Sequence, residues 1–225
     1  MMTDFPFTAI GFDLDGTLVD SNRDLAPAVN YALALEGRPL ISAEEVRHLI
    51  GGGARRMLER ALEHTGGPVP PARFEELAAE LLDHYGTHIA DNTIPFDGCL
   101  AALDALAARG CALAVCTNKV ESLARELIER LGMSTRFTCI LGGDTLGPGR
   151  AKPAPDMIDE AARLCGGGPF AMVGDSSYDT LAAKAAGVPV VALSFGYNDL
   201  PVDQLGADAV IGHYRELVPA LEQLG

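Results

Sequence analysis

Short apolar runs that alternate with segments of helical periodicity constrain the fold of this chain more than any other feature. The clearest runs are 8–12, 111–116 and 170–173, none of which contains a charged residue. Continuous runs of this kind are typical of strands that are buried on both faces of a sheet. Further runs follow at 138–141, 188–193 and 209–211. Because helical segments separate the runs, the pattern predicts an α/β fold, a Rossmann-like parallel sheet with helices on both faces.

One long segment, residues 20–91, shows helical periodicity and no strand pattern. The Ser-Ala-Glu-Glu sequence that begins at Ser42 is a capping box, and three glycines follow before the next helix. Helices are predicted at 21–36, from 42, at 54–64 and at 71–88. We expect an all-helical cap domain at 20–91. It would be inserted into a Rossmann-like catalytic core domain formed by residues 1–19 and 92–225, with hinges near 18–20 and 91–96.

Two carboxylates follow the first apolar run. Asp13 and Asp15 lie two residues apart, so an extended segment would point both to the same side. Gly16 ends the run and places both on the loop at the carboxyl end of the strand, where open α/β sheets bind ligands. Two like charges so close are unfavourable without a cation, which suggests a hard metal ion, Mg²⁺ for preference. The motif alone leaves open the alternative of two solvated aspartates.

Other polar groups also follow apolar runs. Thr117 and Asn118 come after the second run, Asp175 and Asp179 after the third, and Lys152 lies on a loop before a predicted helix. In a parallel sheet the carboxyl ends of the strands meet at one edge, and such a set of groups suits a phosphoryl group. Singly, the threonine and the aspartates could cap helices and the lysine could be solvated. Four coincidences at four strand ends favour one shared site.

The charge and composition limit the partners of the protein. A formal net charge of −14 argues against binding nucleic acid through its phosphates, and any anion site must be locally positive. Five cysteines without a CxxC spacing are typical of reduced, mostly buried thiols. We see no signal peptide at the start and no apolar run near the ~20 residues of a membrane span. We therefore expect a cytoplasmic monomer or homodimer that binds neither nucleic acid nor a membrane.

Four segments together resemble the four motifs of the haloacid dehalogenase superfamily and occur in the same order. They are Asp-Leu-Asp-Gly-Thr at 13–17, Thr-Asn at 117–118, Lys-Pro at 152–153 and Gly-Asp-Ser-Ser-Tyr-Asp at 174–179. The helical segment resembles the cap of the C1 class of that superfamily. Within the class, the chain is most similar to phosphoglycolate phosphatases. The stretches that carry this narrower resemblance are 50–54, 60–62, 182–187 and 195–197.

The resemblance implies a phosphomonoester hydrolase that works through an aspartyl-phosphate intermediate. Asp13 would be the nucleophile. Asp15 would act first as general acid and then as general base, for which it must begin protonated. Mg²⁺ would be held by the Asp13 carboxylate, the Asp15 backbone carbonyl and Asp175, with Asp179 behind them.

The resemblance also implies how the phosphate is bound. Thr117, the Asn118 N–H and Lys152 would hold the phosphoryl oxygens as charge develops. The cap would close over a small phosphorylated metabolite, 2-phosphoglycolate by preference. The other two lysines, Lys119 and Lys184, are expected to be solvated, with a structural contact as an alternative for Lys184.

The glycines before the third helix suggest where a carboxylate on the substrate could bind. Gly52 and Gly53 would leave free N–H groups at a helix start, and Arg55 or Arg56 could add a charged contact. A plain turn between two helices is an equal alternative.

Several relatives of the same superfamily remain alternatives. A β-phosphoglucomutase-like isomerase would also use both aspartates and a similar cap, and phosphatases of sugar phosphates or pyrophosphate stay open. A non-catalytic binding module is a further alternative. A dehalogenase does not need Asp15 as an acid and base, and the lysine that a phosphonatase carries on its cap is missing from 20–91.

Overall fold

This computed structural model describes residues 5–225. They contain eight strands and nine α-helices. The strands are β1 (Ala9–Phe12), β2 (Val19–Asp20), β3 (Ile94–Pro95), β4 (Ala112–Cys116), β5 (Cys139–Leu141), β6 (Phe170–Gly174), β7 (Val190–Leu193) and β8 (Ala209–Ile211). The helices are α1 (Asn22–Leu35), α2 (Ala43–Arg47), α3 (Ala54–Thr65), α4 (Pro71–Thr87), α5 (Cys99–Ala107), α6 (Glu121–Arg130), α7 (Asp156–Leu164), α8 (Ser177–Ala186) and α9 (Leu217–Leu224).

Six of the strands form one parallel sheet in the order β5-β4-β1-β6-β7-β8. The central strand β1 pairs with β4 on one side and with β6 on the other. The chain therefore builds the sheet outward in one direction and then in the other, and the direction changes beside β1. Ligands bind at such a change in strand order. The predicted α/β class with a parallel sheet is confirmed.

Side chains on alternate positions of each strand fill two apolar layers, one on each face of the sheet. In β1, Ile10 and Phe12 belong to one layer and Ala9 to the other, and each is at most 1% exposed. Helices α7 and α8 cover the layer of Ala9, whereas α5, α6 and α9 cover the opposite layer. Burial on both faces explains why the six strands of this sheet contain no charged residue.

Helices α1 to α4, residues 22–87, form a strand-free segment between β2 and β3 that is called the helical insert below. Helix α1 packs against the other three helices of the insert. Helix α4 buries Leu77, Leu81 and Tyr85, which recur at helical spacing on one face. The insert occupies most of the predicted cap, and the division into two domains at 19/20 and 91/92 stays a prediction.

An antiparallel ribbon of two short strands carries the chain into and out of the helical insert. In this ribbon Val19 pairs with Pro95 and Asp20 with Ile94. The sequence did not predict the ribbon, because two residues are too few to show alternation. The ribbon lies where the hinges were predicted.

A side-chain cap sets the start of α8 at Ser177, on the loop that carries Asp175. The Asp179 carboxylate accepts the Ser176 N–H at 3.0 Å. The final helix, α9, begins at Leu217 after a short 3₁₀ turn.

Two other expectations concern the thiols and the membrane. All five cysteines lie in the described part of the chain and are free, and Cys99, Cys111 and Cys116 are buried. Among the described residues, the longest apolar helices fall short of what is needed to cross a bilayer.

One buried carboxylate joins the start of the helical insert to the segment that leaves it. Asp24 in the first turn of α1 is 2% exposed. It accepts hydrogen bonds from the Asn92 N–H at 3.0 Å and its side-chain amide at 2.9 Å. It also accepts the Thr93 N–H at 2.8 Å and the Thr93 hydroxyl at 2.6 Å. These bonds require an acceptor that has no competing donor of its own.

Replacing Asp24 by asparagine should therefore destabilise the protein. Asp24→Asn removes the charge and turns an amide NH₂ toward donors, so we expect the free energy of unfolding in urea to fall by about 1.5–3 kcal/mol. The matched control is Asp91→Asn on an exposed side chain, for which a change within about 0.5 kcal/mol is expected. Equal losses in the two variants would show that the Asp24 bonds do not stabilise the fold.

Candidate active site

The ends of β1, β4 and β6 lie side by side, and one cavity opens above them. Asp13 and Asp15 reach it from β1, and Thr117 and Asn118 reach it from β4. The helical insert closes the opposite side with residues 50–54 and with helix α4. The cavity has a volume of about 630 Å³, including its open mouth. Residues far apart in sequence thus meet at the sheet edge that the motifs predicted.

Asp13 lies at the centre of this edge, with 14% of its side chain exposed. Its N–H donates to the Val173 carbonyl at 3.0 Å, which holds the loop against β6. The Lys152 Nζ lies 3.0 Å from Asp13 Oδ1. Even so, no described residue donates a well-aligned hydrogen bond to that oxygen. Burial raises the pKa of Asp13 to about 6, although the Lys152 ammonium opposes this shift.

Asp175 lies behind Asp13 and is 2% exposed. The Thr17 hydroxyl donates to its Oδ1, and the Tyr197 N–H donates to its Oδ2, both at 2.6 Å. Gly16 has φ +86°, and a Cβ there would collide with Asp175 Oδ2, so a glycine is required where the loop passes. Burial raises the pKa of Asp175 well above its ordinary value, and the nearby carboxylates raise it further.

Lys152 and Asp179 form an ion pair beneath the cavity. The Lys152 Nζ lies 2.5 Å from Asp179 Oδ1, and the two side chains are 1% and 0% exposed. The other oxygen of Asp179 accepts the N–H groups of Asp175 and Ser176 at 3.2 and 3.0 Å. Burial would lower the pKa of Lys152, but Asp13 and Asp179 raise it above its ordinary value. Lys152 is therefore an ammonium that is fixed in place.

The carboxylates of this cluster fit a divalent cation. One oxygen each from Asp13, Asp175 and Asp179 lie within 4.8 Å of one another. Three carboxylates face one ammonium, that of Lys152, which leaves an excess of two negative charges when all are ionised. Burial raises the pKa of Asp13 and of Asp175, and the neighbouring carboxylates raise both further, so a cation at this cluster would favour the ionised forms. Both oxygens of Asp179 and both oxygens of Asp175 already accept hydrogen bonds, so within this cluster Asp13 Oδ1 is the oxygen without a well-aligned donor among the described residues.

The predicted phosphate-binding residues line the same cavity as Asp13. They are Thr117, Asn118 and Lys152. The Asn118 side-chain amide donates to the Lys152 carbonyl at 2.9 Å, which joins two loops that are 34 residues apart. The Thr117 hydroxyl accepts the Lys119 N–H at 3.2 Å, so its own hydrogen stays available to a ligand. The structure brings these three residues together, and their role stays a prediction.

Lys119 is buried, whereas the sequence led us to expect a solvated side chain. It is 8% exposed, and its Nζ lies 3.0 and 2.8 Å from the two carboxylate oxygens of Asp15. A third contact, at 2.8 Å, joins Nζ to the Tyr85 hydroxyl of the helical insert. Burial would lower the pKa of Lys119, but Asp15 and Tyr85 raise it above its ordinary value. Lys184, by contrast, is exposed as expected.

The glycines of the helical insert line the cavity, but the two arginines after them do not. Gly52 and Gly53 face the sheet edge. Arg55 pairs with Glu75 and Arg56 with Glu59, on side chains that are 55% and 58% exposed.

The helical period explains this difference from the expectation. Ala54 and Met57 lie three residues apart on α3 and face the cavity. The two arginines between them must therefore point to other sides of the helix. The structure places the guanidinium groups of Arg55 and Arg56 outside the cavity, and it leaves the N–H groups at the start of α3 beside it.

Comparisons with known proteins agree with the geometry of the site. The family described as haloacid dehalogenase-like hydrolase matches residues 7–187. The chain is 39% identical to a phosphoglycolate phosphatase of Agrobacterium fabrum, over 98% of this chain and 95% of that protein. It is 40% identical to one of Caulobacter vibrioides, over 94% and 89%. A crystal structure titled as a predicted phosphoglycolate phosphatase from Haemophilus somnus superposes with a TM-score of 0.88, at 31% identity over 97% and 99%.

The chain belongs to the haloacid dehalogenase-like hydrolase family. The matched range begins before β1 and ends after α8, so it includes every motif residue from Asp13 to Asp179. The comparisons confirm the predicted enzyme class, a phosphoric monoester hydrolase that resembles phosphoglycolate phosphatases.

Gly53 brings the backbone of the helical insert close to the sheet edge. It has φ +88°, and a Cβ there would lie 2.9 Å from the Asn118 carbonyl oxygen. Gly53→Ala should therefore push α3 away from the cavity and lower kcat/KM for p-nitrophenyl phosphate by about tenfold or more.

The matched control for this substitution is Gly67→Ala. Gly67 has φ +97°, so alanine meets the same backbone strain, but its Cβ would have no neighbour among the described residues within 4 Å. We expect Gly67→Ala to lower Tm while kcat/KM stays within about twofold. Equal losses of kcat/KM in both variants would contradict the proposed contact.

Proposed function

We propose that the protein is a Mg²⁺-dependent phosphomonoester hydrolase that forms an aspartyl-phosphate at Asp13 and acts on 2-phosphoglycolate. The observation that carries this proposal is that Asp13 belongs to a carboxylate cluster with the buried Asp175 and lines the same cavity as Asp15. Relatives that match nearly the whole chain and are named phosphoglycolate phosphatase support the choice of substrate. A cytoplasmic location and a monomeric or homodimeric state stay predictions.

In the first step, a carboxylate oxygen of Asp13 attacks the phosphorus of the substrate. The bond between phosphorus and the ester oxygen breaks, and Asp15 gives a proton to the departing alkoxide. In the second step, a water oxygen attacks the phosphorus of the aspartyl-phosphate. Asp15 takes the proton of that water, and the carboxylate of Asp13 is released together with inorganic phosphate.

The charge that develops on the phosphoryl oxygens needs donors that are already in place. Lys152 is an ammonium held by Asp13 and Asp179, and the Thr117 hydroxyl and Asn118 N–H lie on the same side of the cavity. These groups would bind the transferred phosphoryl group without a rearrangement of the loops.

Mg²⁺ would be held by the carboxylates of Asp13 and Asp175 and by the backbone carbonyl of Asp15. When bound, it would supply positive charge to a phosphoryl oxygen and offset the excess negative charge of the cluster. Asp179 would act from behind, because its oxygens hold Lys152 and the loop N–H groups of Asp175 and Ser176.

The position of Asp15 is set by its ion pair with Lys119. The Lys119 ammonium lies within 3.0 Å of both carboxylate oxygens of Asp15. In the proposed mechanism Asp15 carries a proton when the ester bond breaks and takes one from the attacking water in the second step.

The lining of the cavity supports a leaving group with few hydroxyl groups. Part of the lining is formed by the 50–54 loop and by apolar side chains of the insert and of the core. The apolar residues are Leu25, Ile50, Met57, Leu81, Leu82, Val120 and Leu123. Such walls offer few hydrogen-bond partners to the hydroxyl groups of a sugar, whereas a two-carbon acid has no further hydroxyl group to satisfy.

A substrate screen tests the proposed function directly. Purified protein should hydrolyse 2-phosphoglycolate with a higher kcat/KM than glucose 1-phosphate, glucose 6-phosphate or pyrophosphate. Activity should be lost after chelation and restored by Mg²⁺, because the carboxylate cluster repels a phosphate dianion without a cation. A preference for a hexose phosphate or pyrophosphate would contradict the substrate, and full activity after exhaustive chelation would contradict the metal.

The covalent step has its own test. Asp13→Asn should abolish turnover, because an amide is a poor nucleophile, and we expect a fall in kcat of at least about 10³-fold. Mass spectrometry of acid-quenched protein should find one added phosphoryl group in the wild type and none in Asp13→Asn. The control Asp203→Asn, on an exposed side chain, should behave as the wild type. Phosphorylation of the Asp13→Asn protein would rule out this nucleophile.

A further inference from the structure

One buried lysine beside the cavity is not assigned a role by the four motifs. Lys119 follows Thr117 and Asn118 on the loop after β4 and lines the cavity. Its three ammonium hydrogens face three acceptors, Asp15 Oδ1 at 3.0 Å, Asp15 Oδ2 at 2.8 Å and the Tyr85 hydroxyl at 2.8 Å. All three hydrogens of the Lys119 ammonium are therefore donated to acceptors of the protein itself.

Ser21 also helps to fix the Asp15 carboxylate. The Ser21 hydroxyl donates to Asp15 Oδ1 at 2.6 Å, so the carboxylate accepts bonds from two sides. Lys119 and Asp15 have side chains that are 6% and 14% exposed. An ion pair so far removed from water holds its geometry far better than one on the surface, where each side chain is mobile.

Tyr85 links this pair to the helical insert. It lies on α4 and is 2% exposed, and its ring centroid is 4.3 Å from the Lys119 Nζ. Its neighbours Leu81 and Leu82 line the cavity from the same helix. Tyr85 of the insert therefore acts on the position of Asp15 through Lys119, because its hydroxyl contacts the ammonium.

We infer that Lys119 is a positioning residue that holds the Asp15 carboxylate toward the leaving-group oxygen, and that Tyr85 of the helical insert holds Lys119 in turn. This inference rests on the proposed role of Asp15 in hydrolysis. The packing of the helical insert over the sheet edge then also sets the position of the Asp15 carboxylate. A substrate that allows α4 to seat also completes the geometry of proton transfer.

The leaving group of the substrate distinguishes positioning of Asp15 from a general structural role. An alkyl phosphate such as 2-phosphoglycolate needs a proton on its leaving oxygen, whereas p-nitrophenyl phosphate needs little help. The value of kcat/KM reports the steps up to formation of the aspartyl-phosphate. The ratio of kcat/KM for the two substrates therefore measures the contribution of Asp15 as general acid. Damage to the fold would lower both values together.

Lys119→Met keeps the unbranched apolar stem of the side chain, one atom shorter, and removes its charge. We expect kcat/KM for 2-phosphoglycolate to fall about 10²-fold and that for p-nitrophenyl phosphate to fall less than about tenfold. For 2-phosphoglycolate the loss should be in kcat, with KM changed less than about threefold, because Lys119 acts through Asp15. Lys184→Met, on the exposed lysine of α8, is the matched control and should leave both values unchanged.

Tyr85→Phe is the second variant, and it removes one hydroxyl while it keeps the buried ring. It should show the same selective loss on 2-phosphoglycolate, about three- to tenfold, since one of three contacts to the ammonium is lost. Tyr31→Phe is the control, because Tyr31 is an exposed tyrosine of the insert whose hydroxyl donates to the Glu80 carboxylate at 3.4 Å. It should leave both substrates unaffected.

A double-mutant cycle with Asp15→Asn completes the test. If Lys119 acts through Asp15, Lys119→Met should add less than about twofold to the loss caused by Asp15→Asn on 2-phosphoglycolate. Independent, multiplicative losses would overturn the inference, as would equal losses of kcat/KM on both substrates in Lys119→Met and Tyr85→Phe. These outcomes leave the phosphatase proposal standing, whereas a wild type that hydrolyses neither substrate would remove the proposed function itself.

Discussion

The structure depends on how negative charge is kept at one end of a parallel sheet. Asp13, Asp175 and Asp179 share a space in which their oxygens are within 4.8 Å of one another, and Asp15 lies just beyond. Two buried lysines make this arrangement possible. Lys152 pairs with Asp13 and Asp179, whereas Lys119 pairs with Asp15, so the two groups of charges are neutralised separately. The cluster of Asp13, Asp175 and Asp179 needs a divalent cation in addition to Lys152. Asp15 and Lys119 neutralise each other within the protein.

Most of the fold could be predicted from the sequence, because its strands are buried on both faces. A run such as 170–173 can be free of charge only where helices cover both sides of the sheet, so the runs themselves indicate the parallel sheet and its two layers. The ribbon at 19–20 and 94–95 could not be predicted in this way. Its pairing depends on the return of the chain after some seventy residues, which no local pattern records.

The site could be predicted where spacing along the chain decides it, and not where packing does. Asp13, Thr117 and Asp175 each follow a strand directly, so the topology alone brings them together. Lys119 also follows a strand, but only the approach of Tyr85 from α4 buries it. For Arg55 the helical period points the side chain away from the cavity. The rarity of lysine and its place at a strand end were the available signals for Lys119.

The ribbon has a consequence for how such a protein can change. Because β2 and β3 are hydrogen-bonded neighbours, the helical insert leaves the core and re-enters it at adjacent points, about 5 Å apart as in any paired strands. A segment of different length or sequence could occupy the same two attachment points without moving β1 or the loop after it. The helical insert is therefore exchangeable as a unit, while the sheet edge that carries Asp13 stays constant.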